Sequence, residues 1–272
     1  MIKKVLVTTI TCGIISVFIM LQPIMGNEST LGYKTNMSHS DKKDNENNPP
    51  SPPFNSPLTK GGYRGVKGGK EGFAEIIKLP EPKYDSKLSI EKALLKRRSV
   101  RDYKDEPLTL AEVSQLLWSA QGITDPRGFR AAPSAGALYP LEVYVVVGNV
   151  SSLSDGIYKY KPYGHELVSI MKGDKRAELS AAALGQTCVK GGAAVIVISA
   201  VYERTTKKYG ERGIRYVHIE AGHAAQNVYL QAVSLNLGMV VVGAFADNEV
   251  KRILNMAPTE QPLCIMPVGK IK

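Results

Sequence analysis

Beyond Pro80 the apolar positions alternate between a helical and a strand period, and the switches mark out the elements. Ser89 stands before a helical pattern that runs through Arg98. Thr109-x-x-Glu112 has the form of a capping box, in which hydroxyl and carboxylate satisfy free amides of a first helical turn. It opens a second helix with Val113, Leu116 and Leu117 on its inner face. Glu142 to Val147 reads as a buried strand, while Ile157 to Tyr160 and Glu166 to Ile170 flank Pro162-Tyr163-Gly164 and predict a hairpin. An Ala-rich helix is expected from Asp174 to Leu184, a continuous apolar strand from Ala194 to Val201, and a long helix from about Gly213 to Leu237, stopped by Gly238. Met239 to Val242 predicts a strand, Asp247 a cap for a short helix to Leu254, and Leu263 to Val268 a last strand. The mixture indicates an α+β or α/β domain around one core. It lacks the regular alternation of a doubly wound sheet, and no G-x-G-x-x-G dinucleotide fingerprint occurs.

Before Pro80 the pattern changes character. Lys3 and Lys4 precede an uncharged run from Val5 to Leu21, so residues 1–26 read as a signal peptide or a short membrane anchor. Gly26 sits at a possible cleavage point, but bulky Ile24 leaves removal and retention both open. Cys12 lies inside the apolar run and reads as a structural cysteine. The two lysines favour a cytoplasmic N-terminus, which places the rest in an extracytoplasmic envelope location; a cytoplasmic domain is the alternative, since Lys3-Lys4 is not a twin-arginine signal. Residues 27–80 are first rich in Asn, Ser, Asp and Lys, then in Pro, then in Gly, a composition that buries too little apolar surface to fold alone. Gly69-Lys70 does not make a phosphate loop, because Arg64 stands where the first glycine belongs and Glu71 where Ser or Thr belongs. The expected organisation is therefore leader or anchor, disordered linker to residue 80, and one folded domain over 81–272.

Composition narrows the function classes. With 43% hydrophobic and 22% charged residues the 272-residue chain has material for a sizeable core, and three cysteines make no disulfide scaffold. Outside the cell a Cys188–Cys264 disulfide is permitted, but Cys264 lies in an apolar strand and reads better as a buried free thiol. The net charge of +10 suits an anionic ligand or an acidic membrane face. No dense basic block accompanies it, so nucleic acid is not indicated.

Three segments carry candidate chemistry. In Arg97-Arg98-Ser99-Val100-Arg101 an extended chain projects Arg97, Ser99 and Arg101 to one side, two guanidinium forks flanking a hydroxyl. On this fragment alone the reading stays open between a phosphate clamp and a solvated basic helix end. The loop Arg130 to Pro140 is built of small residues, including Pro133, Ser134 and Ala135, and lets a planar ligand approach the backbone. It is not a hydrolase elbow, because Pro133 precedes the serine and a strand follows it. Third, Lys208 and Tyr209 are adjacent proton carriers ahead of a helix containing Glu220-Ala221-Gly222-His223 and Asn227. His218 and His223 are five apart and diverge on a helix, so a metal site is not expected, whereas His223 and Asn227 share a face and suit bridging to a neighbour.

Taken together, Arg-Arg-Ser-x-Arg, Ala-Pro-Ser-Ala-Gly-x-x-x-Pro, Lys-Tyr-Gly-x-Arg, Glu-Ala-Gly-His-x-x-x-Asn and the terminal Pro-Val-Gly closely resemble the SagB-type dehydrogenase branch of the nitroreductase family, collinearly from about Leu88 to Lys270. The resemblance implies an FMN-binding α+β fold with a central mixed β-sheet flanked by helices, and a homodimer with its flavins at the subunit interface. It implies flavin phosphate and ribityl contacts at Arg97, Ser99 and Arg101, and a basic residue near the phosphate at Lys270. Pro133, Ser134 and Ala135 match the loop laid against the flavin by the partner. Gln186 resembles the amide near the ring edge, and Gly243 and Ala244 the backbone groups facing N5. Lys208-Tyr209 resembles the pair of azoline-oxidising members, in which a base takes a ring proton while hydride passes to the flavin. The implied activity is oxidation of a peptide azoline to an azole. Reduction of nitro compounds or quinones by nicotinamide donors, or flavin binding without turnover, are the alternatives.

Overall fold

The computed structural model describes residues 75–272. The expected leader or anchor at 1–26, including the Val5 to Leu21 run, and the expected linker, nearly all of it, lie outside the described residues. Among the described residues no helix is long and apolar enough to cross a membrane. The sheet starts ahead of Pro80, with β1 at Ile76–Lys78.

The chain continues through α1 (Ile90–Lys96), β2 (Leu108–Thr109), α2 (Leu110–Gln121), β3 (Leu141–Val147), β4 (Val150–Ser151), β5 (Gly156–Lys161) and β6 (Glu166–Lys172). It then forms α3 (Arg176–Ala182), α4 (Thr187–Gly191), β7 (Ala194–Val201), α5 (Glu203–Tyr209), α6 (Arg212–Ser234), β8 (Leu237–Met239), α7 (Asp247–Ile253) and β9 (Glu260–Lys270). Seven strands make one sheet in the order β1-β6-β5-β3-β7-β9-β8. Every pairing in that sheet is antiparallel, and the parallel pairing is confined to the separate β2–β4 ladder. The α+β layout with helices on both sides of a central sheet is as expected.

The apolar runs of β3 and β7 follow from their central place. Successive strand side chains point to opposite faces, so a strand covered on both sides must be apolar at every position. Ile196, Ile198 and Ala200 pack with Leu116 and Leu117 of α2 and Val217 and Val228 of α6, while Val195 and Val197 pack on the other face with Leu179, Val189 and Val250 of α3, α4 and α7. The predicted caps are real: the Ser89 hydroxyl accepts from Lys92 N at 3.3 Å, and Thr109 and Glu112 complete the reciprocal box. Asp247 is not a cap; Ala246 holds that position, and Asp247 is the first helical residue. Nor does Gly238 stop the long helix. α6 ends at Ser234, and Gly238 lies inside β8, paired with Gly269. A Cβ there would stand 2.7 Å from Val100, so close packing explains the glycine.

Candidate functional site

The Arg97–Tyr103 segment is held extended along the β8–β9 edge. Val100 N donates to Met239 O at 2.9 Å, Lys104 N donates to Lys270 O at 3.0 Å, and Tyr103 Oη donates to Val100 O and Pro267 O at 2.7 and 3.1 Å. Burial raises the Tyr103 pKa strongly, so the hydroxyl stays a donor. Arg97 and Ser99 then converge on one ring: the Arg97 guanidinium lies 5.1 Å from the centroid of Tyr229, and Ser99 Oγ is 3.0 Å from Tyr229 Oη. Tyr229 Oη also accepts from Val241 N at 3.0 Å. Arg101 is exposed.

Val241 leads into a cavity of about 580 Å³ whose walls include Gly222, Ala225, Val241, Gly243, Phe245 and Cys264. A Cβ added at Gly243 would meet nothing within 4 Å. Ala244 follows at the rim, where its carbonyl accepts from Gln186 Nε2 at 3.1 Å. Tyr229 thus ties Arg97 and Ser99 to the Val241 end of the cavity, and Gln186 holds the Ala244 carbonyl next to Gly243. Neither Arg97 nor Arg101 makes an ion pair among the described residues, which leaves both forks for an anion. A cavity with glycine and alanine in its wall, linked through Tyr229 to the unpaired Arg97 guanidinium, fits a planar phosphorylated group such as FMN. Lys270 is engaged elsewhere: its ammonium is bonded to Glu112. Burial raises the Glu112 pKa, but the hydrogen bonds from Lys270 and Thr109 outweigh it and hold the carboxyl below its ordinary range.

The other half of the chemistry lies on the opposite side of α6. Nine positions at about 100° each put Tyr229 and Glu220 on opposite faces of that helix. Over the Glu220 face runs the Arg130–Pro140 loop. Asn227 Nδ2 donates to Ala131 O at 3.2 Å, Ser134 Oγ accepts from Tyr139 N at 2.9 Å, and the Arg130 guanidinium stacks 4.4 Å from the Tyr139 centroid. His223, expected to share the bridging role of Asn227, is exposed. Pro133 is exposed, Ser134 and Ala135 half-buried, and the loop turns through left-handed Gly136, Ala137 and Tyr139.

The tip of this loop meets the Lys-Tyr pair. A Cβ at Gly136 would stand 2.7 Å from Tyr209 Oη and 3.1 Å from Lys208 Nζ. Lys208 Nζ lies 5.4 Å from the Tyr209 centroid, and Tyr209 packs edge-on against Tyr216 at 5.1 Å. The helix that carries the pair, α5, is absent from the sequence reading, and a buried ion network anchors its start. Arg204 bonds Glu142 and donates to Tyr139 O at 3.1 Å. Glu142 pairs with Lys159 at 3.1 Å, and Lys159 with Glu260 at 2.7 Å. Glu260 also accepts from Tyr144 Oη at 2.7 Å. Burial raises the Glu142 pKa, but Lys159 and Arg204 outweigh it and hold the carboxyl below its ordinary range.

His218 pairs with Tyr202 at 2.6 Å, apart from Glu220. Cys188 and Cys264 are buried free thiols. Tyr229, Arg204 and Glu142 are the site residues that the motifs did not single out. For Tyr229 the available signal was its seven-residue spacing from Gly222, which puts both on one face of α6.

Comparison with known proteins decides the family. The Nitroreductase family profile matches residues 94–270. The chain belongs to the nitroreductase family. It is 52% identical over 194 residues to MJ1384 of Methanocaldococcus jannaschii, a protein carrying the name nitroreductase, covering 71% of this chain and 96% of that one. It is 27% identical over 171 residues to the microcin B17-processing protein McbC of Escherichia coli, covering 60% of this chain and 63% of the relative. With the trifolitoxin operon protein TfxC of Rhizobium leguminosarum bv. trifolii the identity is 26% over 220 residues, covering 75% and 61%. The chain thus spans about three fifths of these two relatives, which accord with the SagB-type branch. A nitroreductase-like crystal structure from Ralstonia eutropha superposes with a TM-score of 0.65 at 28% identity, covering 76% of this chain and 97% of that one. This nitroreductase-family chain is accordingly an oxidoreductase.

Proposed function

We propose that this nitroreductase-family chain is an FMN-dependent oxidoreductase of SagB type that dehydrogenates azoline rings in a peptide to azoles. The observation that carries the reading is the meeting of Lys208 and Tyr209 with the loop tip at Gly136, three residues from two distant motifs gathered at one point. When bound, FMN supplies a two-electron acceptor or donor. Arg97 and Ser99, seated on Tyr229, hold the phosphate and ribityl end, with Arg101 beside them, and Gly243 and Ala244 leave the ring edge accessible. Lys208 Nζ or Tyr209 Oη takes the proton from the carbon of the heterocycle. The name of McbC, a microcin B17-processing protein, supports a substrate of that kind.

The cradle and the Lys-Tyr pair occupy opposite faces of α6, which supports a homodimer in which Pro133, Ser134 and Ala135 of one copy complete the cradle of the other. Ile214, Ile219 and Leu95 are exposed and supply apolar surface for that contact. The proposed location is the extracytoplasmic side of the envelope, reached through residues 1–26.

The purified chain tests the reading through its visible spectrum and the chromophore released by heat. Bound FMN, unbleached by NADH but reduced by azoline peptides and silent in Lys208→Ala, is the expected result. FMN that bleaches with NADH and recovers on adding a nitroarene or quinone makes the chain a reductase, the reading favoured by the MJ1384 name. A colourless chain that takes up no FMN overturns both.

A further inference from the structure

The cavity beside Val241 has polar groups that the proposed chemistry does not use. Its polar lining is Tyr202, His218, Asp247 and Gln261, and the remaining wall is apolar. His218, Gly222, Ala225 and Tyr229 recur at helical spacing, so one stripe of α6 runs from the cavity to the Arg97 contact. Eleven residues at about 1.5 Å each set His218 about 16 Å from Tyr229 along the helix axis, at the end away from Arg97 and Ser99. Two glycines keep the space along this stripe open. Gly222 and Gly243 both line the cavity, and a Cβ added to either meets nothing within 4 Å. Neither has a positive φ, so neither packing nor backbone conformation calls for glycine there. Gly222 stands inside a 23-residue helix, where only proline is less favourable. What both supply is clearance for a ligand.

At the polar end Tyr202 Oη and His218 Nε2 lie 2.6 Å apart, with their rings perpendicular. Tyr202 is fixed where α5 begins, its carbonyl accepting from Thr205 N and Thr206 N at 2.9 Å. The pair can face a ligand in two ways without gaining charge. With Nε2 protonated the imidazole donates to Tyr202, whose hydroxyl then donates into the cavity; in the other tautomer the hydroxyl donates to the ring and its oxygen accepts from the cavity. Burial, and after it the Asp247 charge, raises the Tyr202 pKa, so the hydroxyl keeps its proton. Asp247 is exposed and makes no ion pair among the described residues, which leaves an acceptor that repels anions.

We propose that this end of the cavity recognises a carboxamide carried on a planar ring, its carbonyl accepting from the Tyr202 hydroxyl and its N–H donating to Asp247. The ring itself lies in the clearance over Gly222 and Gly243, against apolar wall. A carboxylate in place of the carboxamide brings no N–H and sets a second negative charge beside Asp247, so the site selects against it. Two kinds of molecule carry the group. A heterocycle formed within a peptide keeps the backbone carbonyl of the residue that supplied its ring and the N–H of the residue after it. Nicotinamide carries the same group on a pyridine ring.

The inference rests on the proposed function only for the source of the carboxamide, and calorimetric titration of the full-length chain tests it without turnover. The probes are the N-methylamide of thiazole-4-carboxylic acid, nicotinamide, and the two matching carboxylates. The thiazole amide should bind about tenfold more tightly than its carboxylate, and Tyr202→Phe should weaken it by about the same factor. Asp247→Asn should weaken the amide and strengthen the carboxylate, so that the preference collapses. Gly222→Ala, which fills the clearance while favouring the helix, should weaken the amide severalfold without lowering the urea midpoint. Nicotinamide binding more tightly than the thiazole amide keeps the carboxamide site and turns it from a peptide to a dinucleotide. Binding of neither amide, carboxylates bound as tightly as amides, or a preference unchanged in both Tyr202→Phe and Asp247→Asn overturns the inference. Lack of azoline turnover with the amide preference intact counts against the assigned reaction alone.

Discussion

Gly136 and Tyr209 touch: a methyl group at position 136 would sit 2.7 Å from the tyrosine hydroxyl oxygen. That contact joins the small-residue loop to α5, and it makes glycine at 136 a requirement of the site more than of the fold. The atoms in the way are the far ends of two flexible side chains, and the left-handed φ of 65° costs an alanine about 1 kcal/mol. Gly136→Ala should therefore lower stability by only about 1 kcal/mol while displacing the Lys-Tyr pair. A fall in kcat of tenfold or more with a near-normal urea midpoint is the expected combination; an unchanged kcat would remove the pair from the reaction.

The ion network sets where α5 starts. Glu142 holds both Lys159 and Arg204. Replacing one partner of a buried pair strands the other, at about 3 kcal/mol. Glu142→Gln should lose about that much in urea unfolding, softened because Lys159 keeps Glu260. Arg204→Met, at the exposed end, should cost less stability but should lower activity, since it frees α5 from Tyr139 O.

Tyr229 offers one hydroxyl to two groups, Ser99 and the Val241 amide. Tyr229→Phe leaves that amide without its acceptor and Ser99 without its tether. A loss of about 1 kcal/mol at each step is expected. The variant should bind FMN roughly fivefold more weakly in a fluorescence titration, by the same figure. Unchanged affinity would place the flavin away from the Arg97 segment.

Two buried groups give stability opposite slopes with pH. Burial lowers the His165 pKa against the opposing pull of Pro80 O, and the ring is bonded to Tyr160 Oη at 2.9 Å and Ser114 Oγ at 2.7 Å. Below an ordinary pKa of about 6.5 the unfolded chain takes a proton that the native ring resists, so this contribution is lost as pH falls through that value. For Glu220 the native state holds the extra proton between 4.5 and about 7, so stability declines as pH rises through that window. Urea midpoints from pH 5 to pH 8 should flatten at the acid end in His165→Asn, which tolerates the φ of 44°, and rise at the alkaline end in Glu220→Gln.

What the chain order of residues determined by itself was local. Capping of α1 by Ser89 and of α2 by Thr109 and Glu112 depends on atoms within a few residues, and the unbroken apolar run of β7 follows from being covered on both faces. The motifs also marked the clamp, the loop and the Lys-Tyr pair, because their residue types are demanded by charge and close approach. Boundaries set by packing are not local: Gly238 has the sequence form of a helix stop, yet its close neighbour Val100 and its pairing with Gly269 make it a sheet residue. Only the tertiary structure decided which motifs meet. It placed Arg97 and Ser99 on Tyr229, bound Lys270 to Glu112, set Gly136 against Lys208 and Tyr209, and buried Glu220 without a partner. Each of these depends on the fold of the sheet and the rotation of α6, which bring together side chains far apart in sequence, and no local spacing encodes that distance.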